Sequence, residues 1–245
     1  MRVMLKVAYD GTNYHGWQLQ PDEVTIESVL NETISELFHE DIKVIGASRT
    51  DAGVHAMGNI AVFDTNSRMP AEKVSYALNQ RLPDDIKIQK SCQVEDDFHP
   101  RHQNSMKTYE YRILNTEFPM PTERLYAHFT YVPLDINLMQ EAAAYLEGEH
   151  DFKSFCSVNT TVESTVRIIY QIQVEKHNNT IVIRVTGNGF LYNMIRIIAG
   201  TLMEVGRGKI APIQIRDILE AKDRECAGPT APANGLTLME YRYLN

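Results

Sequence analysis

The sequence has little of several features that mark particular classes of protein. Its 245 residues include three cysteines, Cys92, Cys156 and Cys226. They are far apart and odd in number, which is typical of a reducing compartment and predicts no disulfide framework. No window approaches the ~18 uninterrupted apolar residues of a membrane span, and the first ten residues alternate in polarity instead of forming a signal peptide. We therefore expect a cytoplasmic protein without a membrane segment.

Several motifs of common enzyme classes are also missing. The chain has no phosphate-binding glycine-rich loop, no Gly-x-Ser-x-Gly motif and no cysteine and histidine arranged for nucleophilic catalysis. Residues 99–102, His-Pro-Arg-His, could be imagined as metal ligands together with Cys92. No second pair at ligand spacing supports them, so we expect no metal.

Basic residues are outnumbered, 24 against 32 acidic ones, and the formal net charge is −8. This balance argues against non-specific nucleic-acid binding but leaves room for a local basic surface. The most basic region is 99–112, which contains Arg101, Lys107 and Arg112. On charge alone it could be a nucleic-acid contact or a solvated strand face.

The hydrophobic pattern predicts an α+β fold. The first half shows strands near 2–9, 42–47, 58–65 and 86–94, a helix capped by Thr25 and a helix beginning at Pro70. The second half shows strands near 105–114, 166–176, 180–187 and 236–243, with helices after Asp135, near 190–204 and after Pro212. Each half follows the order β-α-β-β-α-β of a ferredoxin-like unit. We predict two such halves, 1–104 and 105–245, joined into an extended, mostly antiparallel sheet with a central cleft.

The loop between the second and third predicted strands concentrates polar chemistry. Residues 48–56, SRTDAGVHA, hold Arg49, Asp51 and His55. Asp51-Ala52-Gly53 is good turn chemistry, since aspartate can bond its own downstream backbone and glycine supplies a positive φ. The Asp51 carboxylate is equally a candidate for catalysis.

Arg196 is the only charge between residues 188 and 203, on a helix that is otherwise apolar nearly all round. A buried guanidinium without a partner is costly, so we expect an acidic group from elsewhere in the chain to meet it. The residues on its helical face are small or polar and would let a loop approach closely: Tyr192, Asn193, Ala199 and Gly200. A structural salt bridge and a catalytic pair both fit.

The predicted strand KTYEYRI, residues 107–113, places Lys107, Tyr109 and Tyr111 on one face. Alternating aromatic residues of this kind are usually core. A tyrosine on a strand beside a cleft is also a common platform for stacking an unpaired base.

Eight ordered blocks make the sequence similar to the tRNA pseudouridine synthase A family over essentially its whole length. They are YDGTNYHGWQ (9–18), SRTDAGVHA (48–56), LPDDI (82–86), DDFHPR (96–101), KTYEYRI (107–113), GEHDFKSF (148–155), GNGFLYNMIRIIAGTL (187–202) and APANGL (231–236). The resemblance implies an isomerase that converts uridine to pseudouridine in the anticodon stem-loop of tRNA, at tRNA positions 38–40.

The resemblance also implies roles for individual residues. Asp51 matches the nucleophile, and Arg196 matches the arginine that pairs with it. Tyr109 matches the tyrosine that stacks on the uracil and takes part in removing the C5 proton. Arg49 matches an arginine that contacts RNA, and Leu236 matches a position that lines the pocket. Arg101 and Lys107, from the basic region 99–112, are further candidate substrate-binding residues.

No cofactor is expected, because the isomerisation is redox-neutral and uses no external nucleophile. The resemblance implies a homodimer with tRNA as its partner. Two residues depart from the family pattern: Ser48 stands where glycine is usual, and His102 where an aromatic residue is usual.

Two other functions fit parts of the sequence. A non-catalytic RNA-binding module would use the same sheets but leaves the isolated charge of Arg196 unexplained. A glycoside-type hydrolase would need a second carboxylate roughly 5–10 Å from Asp51. Asp10 could be put forward, although nothing in the sequence places it there.

Overall fold

The computed structural model describes residues 1–158 and 162–244, and they form an α+β protein with mostly antiparallel strand pairing. The chain divides into two compact units, one of residues 1–104 with 238–245 and one of residues 105–237. The predicted α+β class and antiparallel pairing are confirmed. Among the described residues, no helix has the length and apolar character needed to cross a bilayer.

The first unit follows the predicted strand and helix order. Its elements are β1 (Arg2–Tyr9), α1 (Ile26–Phe38), β2 (Ile45–Gly46), β3 (His55–Asp64), α2 (Ala71–Asn79) and β4 (Ile86–Val94). β1 lies between β3 and β4 and is antiparallel to both, while the short β2 pairs with β3. The end of the chain contributes Tyr241, which packs with Ala47 and Ile60 in a buried cluster.

Local chemistry explains where α1 begins. Thr25 is the N-cap, and its side chain accepts a hydrogen bond from the Ser28 amide. The Ser28 hydroxyl oxygen in turn accepts from the Thr25 amide, at 2.9 Å. This reciprocal capping box satisfies amides that have no partner within the helix. The predicted N-cap is thus confirmed, and it fixes the point where the segment 9–18 gives way to α1.

The second unit contains β5 (Ser105–Asn115), β6 (His128–Thr130), α3 (Ile136–Ala144), β7 (Gly148–Asp151), β8 (Val166–His177), β9 (Thr180–Gly187), α4 (Met194–Gly206) and α5 (Gln214–Ala221). The antiparallel order is β5-β9-β8-β7, and β6 runs parallel to β5. The final strand, β10, spans Leu236–Tyr243. The sequence did not predict β6 and β7, which are three and four residues long and too short for a periodic pattern.

Three boundaries differ from the predicted ones. β3 begins at His55 instead of near 58. β2 has two residues instead of six. Helix α4 begins at Met194 instead of near 190, because Asn193 has a left-handed φ of +61° that a continuing helix cannot contain. The 190–193 segment is therefore a turn that delivers Arg196 in the first turn of α4.

Candidate active site

Asp51 lies at the tip of the loop between β2 and β3. The Asp51 carbonyl accepts a hydrogen bond from the Val54 amide at 3.1 Å, and Gly53 has a φ of +78°. The predicted turn at Asp51-Ala52-Gly53 is therefore confirmed. Asp51 is only partly buried, although Thr50 and Val54 on either side of it are buried. Thr50 and Val54 thus anchor the loop in the core, while Asp51 between them stays partly accessible.

The segment 9–18 packs against this loop backbone to backbone. The Trp17 amide donates to the Thr50 carbonyl at 3.0 Å, and the Gly53 amide donates to the Tyr14 carbonyl at 3.3 Å. These two bonds lie on opposite sides of Asp51 in the sequence. The loop therefore depends on a second segment, rather than on its own turn alone, for its conformation.

Two glycines in the segment 9–18 make this close contact possible. A Cβ on Gly16, whose φ is +85°, would lie 2.6 Å from the Thr50 carbonyl oxygen. A Cβ on Gly11 would lie 2.0 Å from the Val54 carbonyl oxygen. Real Cβ atoms do not approach backbone that closely, so both positions require glycine. The Gly-x4-Gly spacing of Gly11 and Gly16 is the signal in the sequence that the segment 9–18 is a cradle for the loop.

Side chains add further anchors to the cradle. The hydroxyls of Tyr9 and Thr50 are 2.7 Å apart, and burial raises the pKa of Tyr9, so its phenol stays protonated. His55 is buried, and its Nδ1 accepts from the Gly11 amide at 3.1 Å. An oxygen of the Asp10 carboxylate lies 3.1 Å from the same Nδ1. His55 therefore ties the far end of the loop to the first residues of the cradle.

Trp17, the only tryptophan of the chain, is buried directly behind the loop. A Cβ on Gly46 would lie 2.2 Å from the indole Nε1, so the ring packs directly against the backbone of β2 at Gly46. Tyr9 also contacts the ring, with centroids 5.9 Å apart. The indole thus packs the segment 9–18 against β2.

Ser48, the first departure from the family pattern, fits the backbone of the loop, which is bonded on both sides of the residue. Its amide donates to the Asn59 side-chain oxygen at 3.2 Å, and its carbonyl accepts from the Asn59 side-chain nitrogen at 2.9 Å. Ser48 does not have a positive φ. The Ser48 hydroxyl is buried and has no hydrogen-bond partner among the described residues, a desolvation cost that glycine would avoid. The start of the loop is fixed by Asn59.

Two arginines form a basic surface beside the loop. Arg49 and Arg101 are both exposed, and the Arg101 Nε donates to the Gly46 carbonyl at 2.7 Å. Partial burial, and then the positive charge of Arg49, lower the pKa of Arg101. His102, the second departure from the family pattern, stacks on His99 at 3.9 Å between ring centroids. A locally basic surface therefore exists on this acidic chain.

In the second unit, Tyr109 lies on β5 with 8% of its surface exposed. Its ring meets Phe190 edge to face, with centroids 5.4 Å apart and planes at 88°. Such a contact fixes the plane of a ring that could stack on a base. Lys107, two residues earlier on the same face, is half-buried.

Arg196 is held by two oxygen atoms of its own unit. Its Nε donates to the Ala231 carbonyl at 2.7 Å, and its Nη1 donates to the Asn193 side-chain oxygen at 2.8 Å. The Ala231 amide returns a bond to the Arg196 carbonyl at 3.1 Å. The expected close approach of a loop occurs at Gly200, where a Cβ would lie 1.7 Å from the Pro229 carbonyl oxygen.

The loop of residues 229–235 leads to Leu236. It is held in place by Tyr111, to which the sequence assigned no role. Tyr111 is fully buried, and its hydroxyl donates to the Pro232 carbonyl at 2.8 Å. A Cβ on Gly235 would lie 2.8 Å from the Tyr111 ring. Leu236, the first residue of β10, is 6% exposed. Tyr111 is thus the anchor of the loop that carries Leu236.

The candidate residues therefore form two groups. The first unit holds Arg49, Asp51 and Arg101, and the second holds Lys107, Tyr109, Arg196 and Leu236. Within each group, hydrogen bonds to backbone fix the loops that carry the side chains.

Comparison with known proteins identifies the family. A family described as tRNA pseudouridine synthase matches residues 6–103 and 142–244. The tRNA pseudouridine synthase A of Thermoanaerobacter sp. (strain X514) is 50% identical over 241 residues, which cover 98% of this chain and 99% of the relative. That of Brevibacillus brevis is 48% identical, with 99% of each chain covered. A tRNA pseudouridine synthase A 2 of Clostridium perfringens is 44% identical, with 98% of this chain and 99% of the relative covered.

Among solved structures, a chain of a Cbf5-Nop10-Gar1 complex is similar with a TM-score of 0.37 and 15% identity, covering 97% of this chain and 58% of that chain. The sequence matches extend over both units, and their coverage leaves no large part of the protein outside them. The chain therefore belongs to the tRNA pseudouridine synthase family.

Proposed function

We propose that this protein isomerises uridine to pseudouridine in the anticodon stem-loop of tRNA, at tRNA positions 38–40. Membership of the tRNA pseudouridine synthase family supports conversion of tRNA uridine. The observation that carries the assignment of a site is the cradle around Asp51, which fixes the backbone on both sides of a partly exposed carboxylate residue. We assign the nucleophile to the first unit and the stacking and pairing residues to the second.

The reaction moves one glycosidic bond without net gain or loss of atoms. The C1′–N1 bond breaks, the uracil turns, and a C1′–C5 bond forms. N1 gains a proton and C5 loses one. Asp51 could attack C6 of the ring, attack C1′ of the ribose, or stabilise a developing sugar cation and remove a ribose proton. All three routes need an ionised carboxylate at a fixed position.

In the proposed site Arg196 pairs with the Asp51 carboxylate. An arginine within about 4–6 Å lowers the pKa of a carboxylate by roughly 1–3 units. This would offset the opposite shift that occurs when a flipped nucleotide displaces water from the carboxylate. The two bonds from Arg196 to Ala231 and Asn193 support this role because they restrict the directions in which its guanidinium can point.

Tyr109 is proposed to stack on the target uracil and to help remove its C5 proton, with Leu236 lining the pocket. Extruding a base costs a few kcal/mol, and stacking on an aromatic ring contributes ~1–3 kcal/mol. Arg49, Arg101 and Lys107 are proposed to contact RNA. Exposure of the two arginines beside the Asp51 loop supports this assignment.

The proposed reaction needs no cofactor or metal, because it is redox-neutral and its nucleophile belongs to the protein. We propose a cytoplasmic homodimer that binds one tRNA across both subunits. Pairing two copies would combine two basic surfaces like that of Arg49 and Arg101, which would help a chain of net charge −8 to hold a polyanion.

The decisive experiment measures tritium release from tRNA that carries [5-³H]uridine. Wild type should release tritium and Asp51→Ala should not, while Asp84→Ala, which removes a fully exposed carboxylate of the same unit, should act like wild type. Replacement of hydrogen by carbon at C5 is specific to this isomerisation. Wild-type protein that binds tRNA without releasing tritium would instead be an RNA-binding module.

Tyr109 and Arg196 can be tested separately in the same assay. Tyr109→Phe keeps a stacking ring but removes the hydroxyl, so full turnover would refute the role in proton removal and leave stacking intact. Arg196→Met removes the charge and keeps much of the length. A folded Arg196→Met variant with normal turnover would refute the pairing.

A further inference from the structure

Asn193 occupies the residue before α4 and makes two side-chain hydrogen bonds. Its side-chain oxygen accepts from Nη1 of Arg196 at 2.8 Å. Its side-chain nitrogen donates to the hydroxyl oxygen of Ser157 at 2.8 Å. A flipped amide would set its nitrogen against Nη1 of Arg196, donor against donor, and lose that bond, although the Ser157 hydroxyl could bond either end of the amide. The orientation of the Asn193 side chain is therefore fixed, and it fixes one edge of the guanidinium.

The backbone of Asn193 is also special. Its φ is +61°, in the left-handed region that asparagine, aspartate and glycine tolerate better than other residues. It is the N-cap of α4, yet its side chain bonds no amide of the helix. The side chain is thus diverted from capping, the usual use of asparagine at this position, to Arg196.

The chemistry of aspartate makes the presence of asparagine informative. Aspartate has the same shape, tolerates the same backbone and is at least as favourable at a helix N-terminus, because the helix dipole favours negative charge there. It would also bond Arg196 more strongly. It would, however, neutralise the guanidinium. The oxygens of Asn193 and Ala231 that accept from Arg196 carry no formal charge.

We propose that Asn193 is a positioning residue that orients Arg196 toward the nucleophile without competing for its charge. This inference rests on the proposed function, in which Arg196 pairs with Asp51. Tyr111 lies near enough to Arg196 for the guanidinium charge to act on its pKa. Burial raises the pKa of Tyr111, so its phenol remains neutral in the working range and does not compete either.

Three variants separate orientation from charge. Asn193→Asp keeps the geometry and adds a competing carboxylate, so kcat should fall at least ~10-fold and the acid limb of the pH–rate profile should move up by about 1 unit. Asn193→Gly keeps the left-handed backbone and removes the orienting oxygen without adding a charge, so kcat should fall while the acid limb moves up by less than in Asn193→Asp. Asn193→Ser restores an acceptor and should recover part of the loss.

Asn178 provides a matched control. It has a φ of +55° in the turn between β8 and β9 and is exposed, so Asn178→Asp makes the same substitution at the same kind of backbone away from Arg196. It should match wild type in kcat and in pH profile. Unfolding midpoints of all variants, measured in parallel, show whether lost activity follows lost stability.

Each outcome has one meaning. An Asn193→Asp variant with wild-type kcat and an unmoved acid limb overturns the inference, as does an Asn193→Gly variant with wild-type kcat. Loss of kcat that merely tracks the unfolding midpoint assigns Asn193 a structural role and also overturns it. Absence of tritium release by wild type itself would be failure of the proposed function, which the first measurement of the series reveals.

Discussion

Substituting alanine at Gly16 tests the cradle around Asp51 most directly. A left-handed backbone costs a residue with a Cβ ~1–2 kcal/mol relative to glycine. At Gly16 the Cβ would also lie 2.6 Å from the Thr50 carbonyl oxygen, so the loop must move. Overpacking of this kind costs ~1–3 kcal/mol. We therefore expect Gly16→Ala to lower the free energy of unfolding by roughly 2–5 kcal/mol.

Gly208 separates the two contributions. Its φ of +74° is similar, but a Cβ there has no atom within 4 Å. Gly208→Ala should therefore show only the backbone cost of ~1–2 kcal/mol. The stability difference between the two variants, measured by denaturant unfolding, isolates the contact of residue 16 with the loop.

Activity gives the second readout. Displacement of a catalytic group by about 1 Å can cost on the order of 100-fold in rate. At a temperature where both variants are folded, Gly16→Ala should lose at least ~10-fold in kcat for tritium release, and Gly208→Ala should retain wild-type kcat. Equal activity and equal stability of the two variants would refute the conclusion that glycine at position 16 sets the position of Asp51.

Three other substitutions test separate parts of the protein. Tyr111→Phe leaves the Pro232 carbonyl without its donor, so we expect a loss of ~1–3 kcal/mol in unfolding free energy and a lower kcat. An unchanged kcat would show that this loop does not shape the pocket. Arg101→Gln should weaken tRNA binding and reduce the slope of log K against log salt by about one, as measured by filter binding at several salt concentrations. The pKa of Asp151 is lowered, chiefly because the Thr165 hydroxyl donates to its carboxylate. The ionised carboxylate therefore stabilises the fold above the ordinary pKa of 3.8, and this contribution is lost as the pH falls below that value. Asp151→Asn should therefore flatten the acid side of the stability profile, and an unchanged profile would contradict this assignment.

The sequence predicted the elements that depend on periodicity and on local caps. β1, α1, β4, β8 and β9 lie close to their expected bounds because alternating strands and capped helices carry their signal in neighbouring residues. The Asp135 cap is confirmed, since its side chain accepts from the amides of Asn137 and Leu138.

Features that depend on contacts distant in sequence were not predictable in this way. The cradle joins residues 11–17 to residues 50–55, and Tyr111 meets Pro232 across 121 positions. The last strand illustrates the same limit. Residues 238–243 of this strand belong to the unit that also contains residues 1–104, whereas reading the chain in order groups them with the second half. Such groupings arise from tertiary packing.

The candidate site residues show the same difference between local patterns and contacts distant in sequence. Asp51, Tyr109 and Arg196 were found because a turn, an aromatic strand and an isolated charge are visible in the sequence. The sequence shows Asn193 only as a small polar neighbour of Arg196. The bond between them depends on a left-handed backbone that no sequence pattern predicts. Arg196 pairing with Asp51 stays a prediction for the variants above.

The buried Trp17 is an intrinsic fluorescent probe of the Asp51 loop. Because the chain has a single tryptophan, all indole emission comes from one place, and that place lies behind the Asp51 loop. An indole that is 1% exposed should emit at short wavelength and be quenched poorly by dissolved iodide. Its backbone amide bonds the Thr50 carbonyl, so movement of the nucleophile loop should alter the signal. Stopped-flow fluorescence on mixing with tRNA could therefore time any rearrangement of this loop without a label.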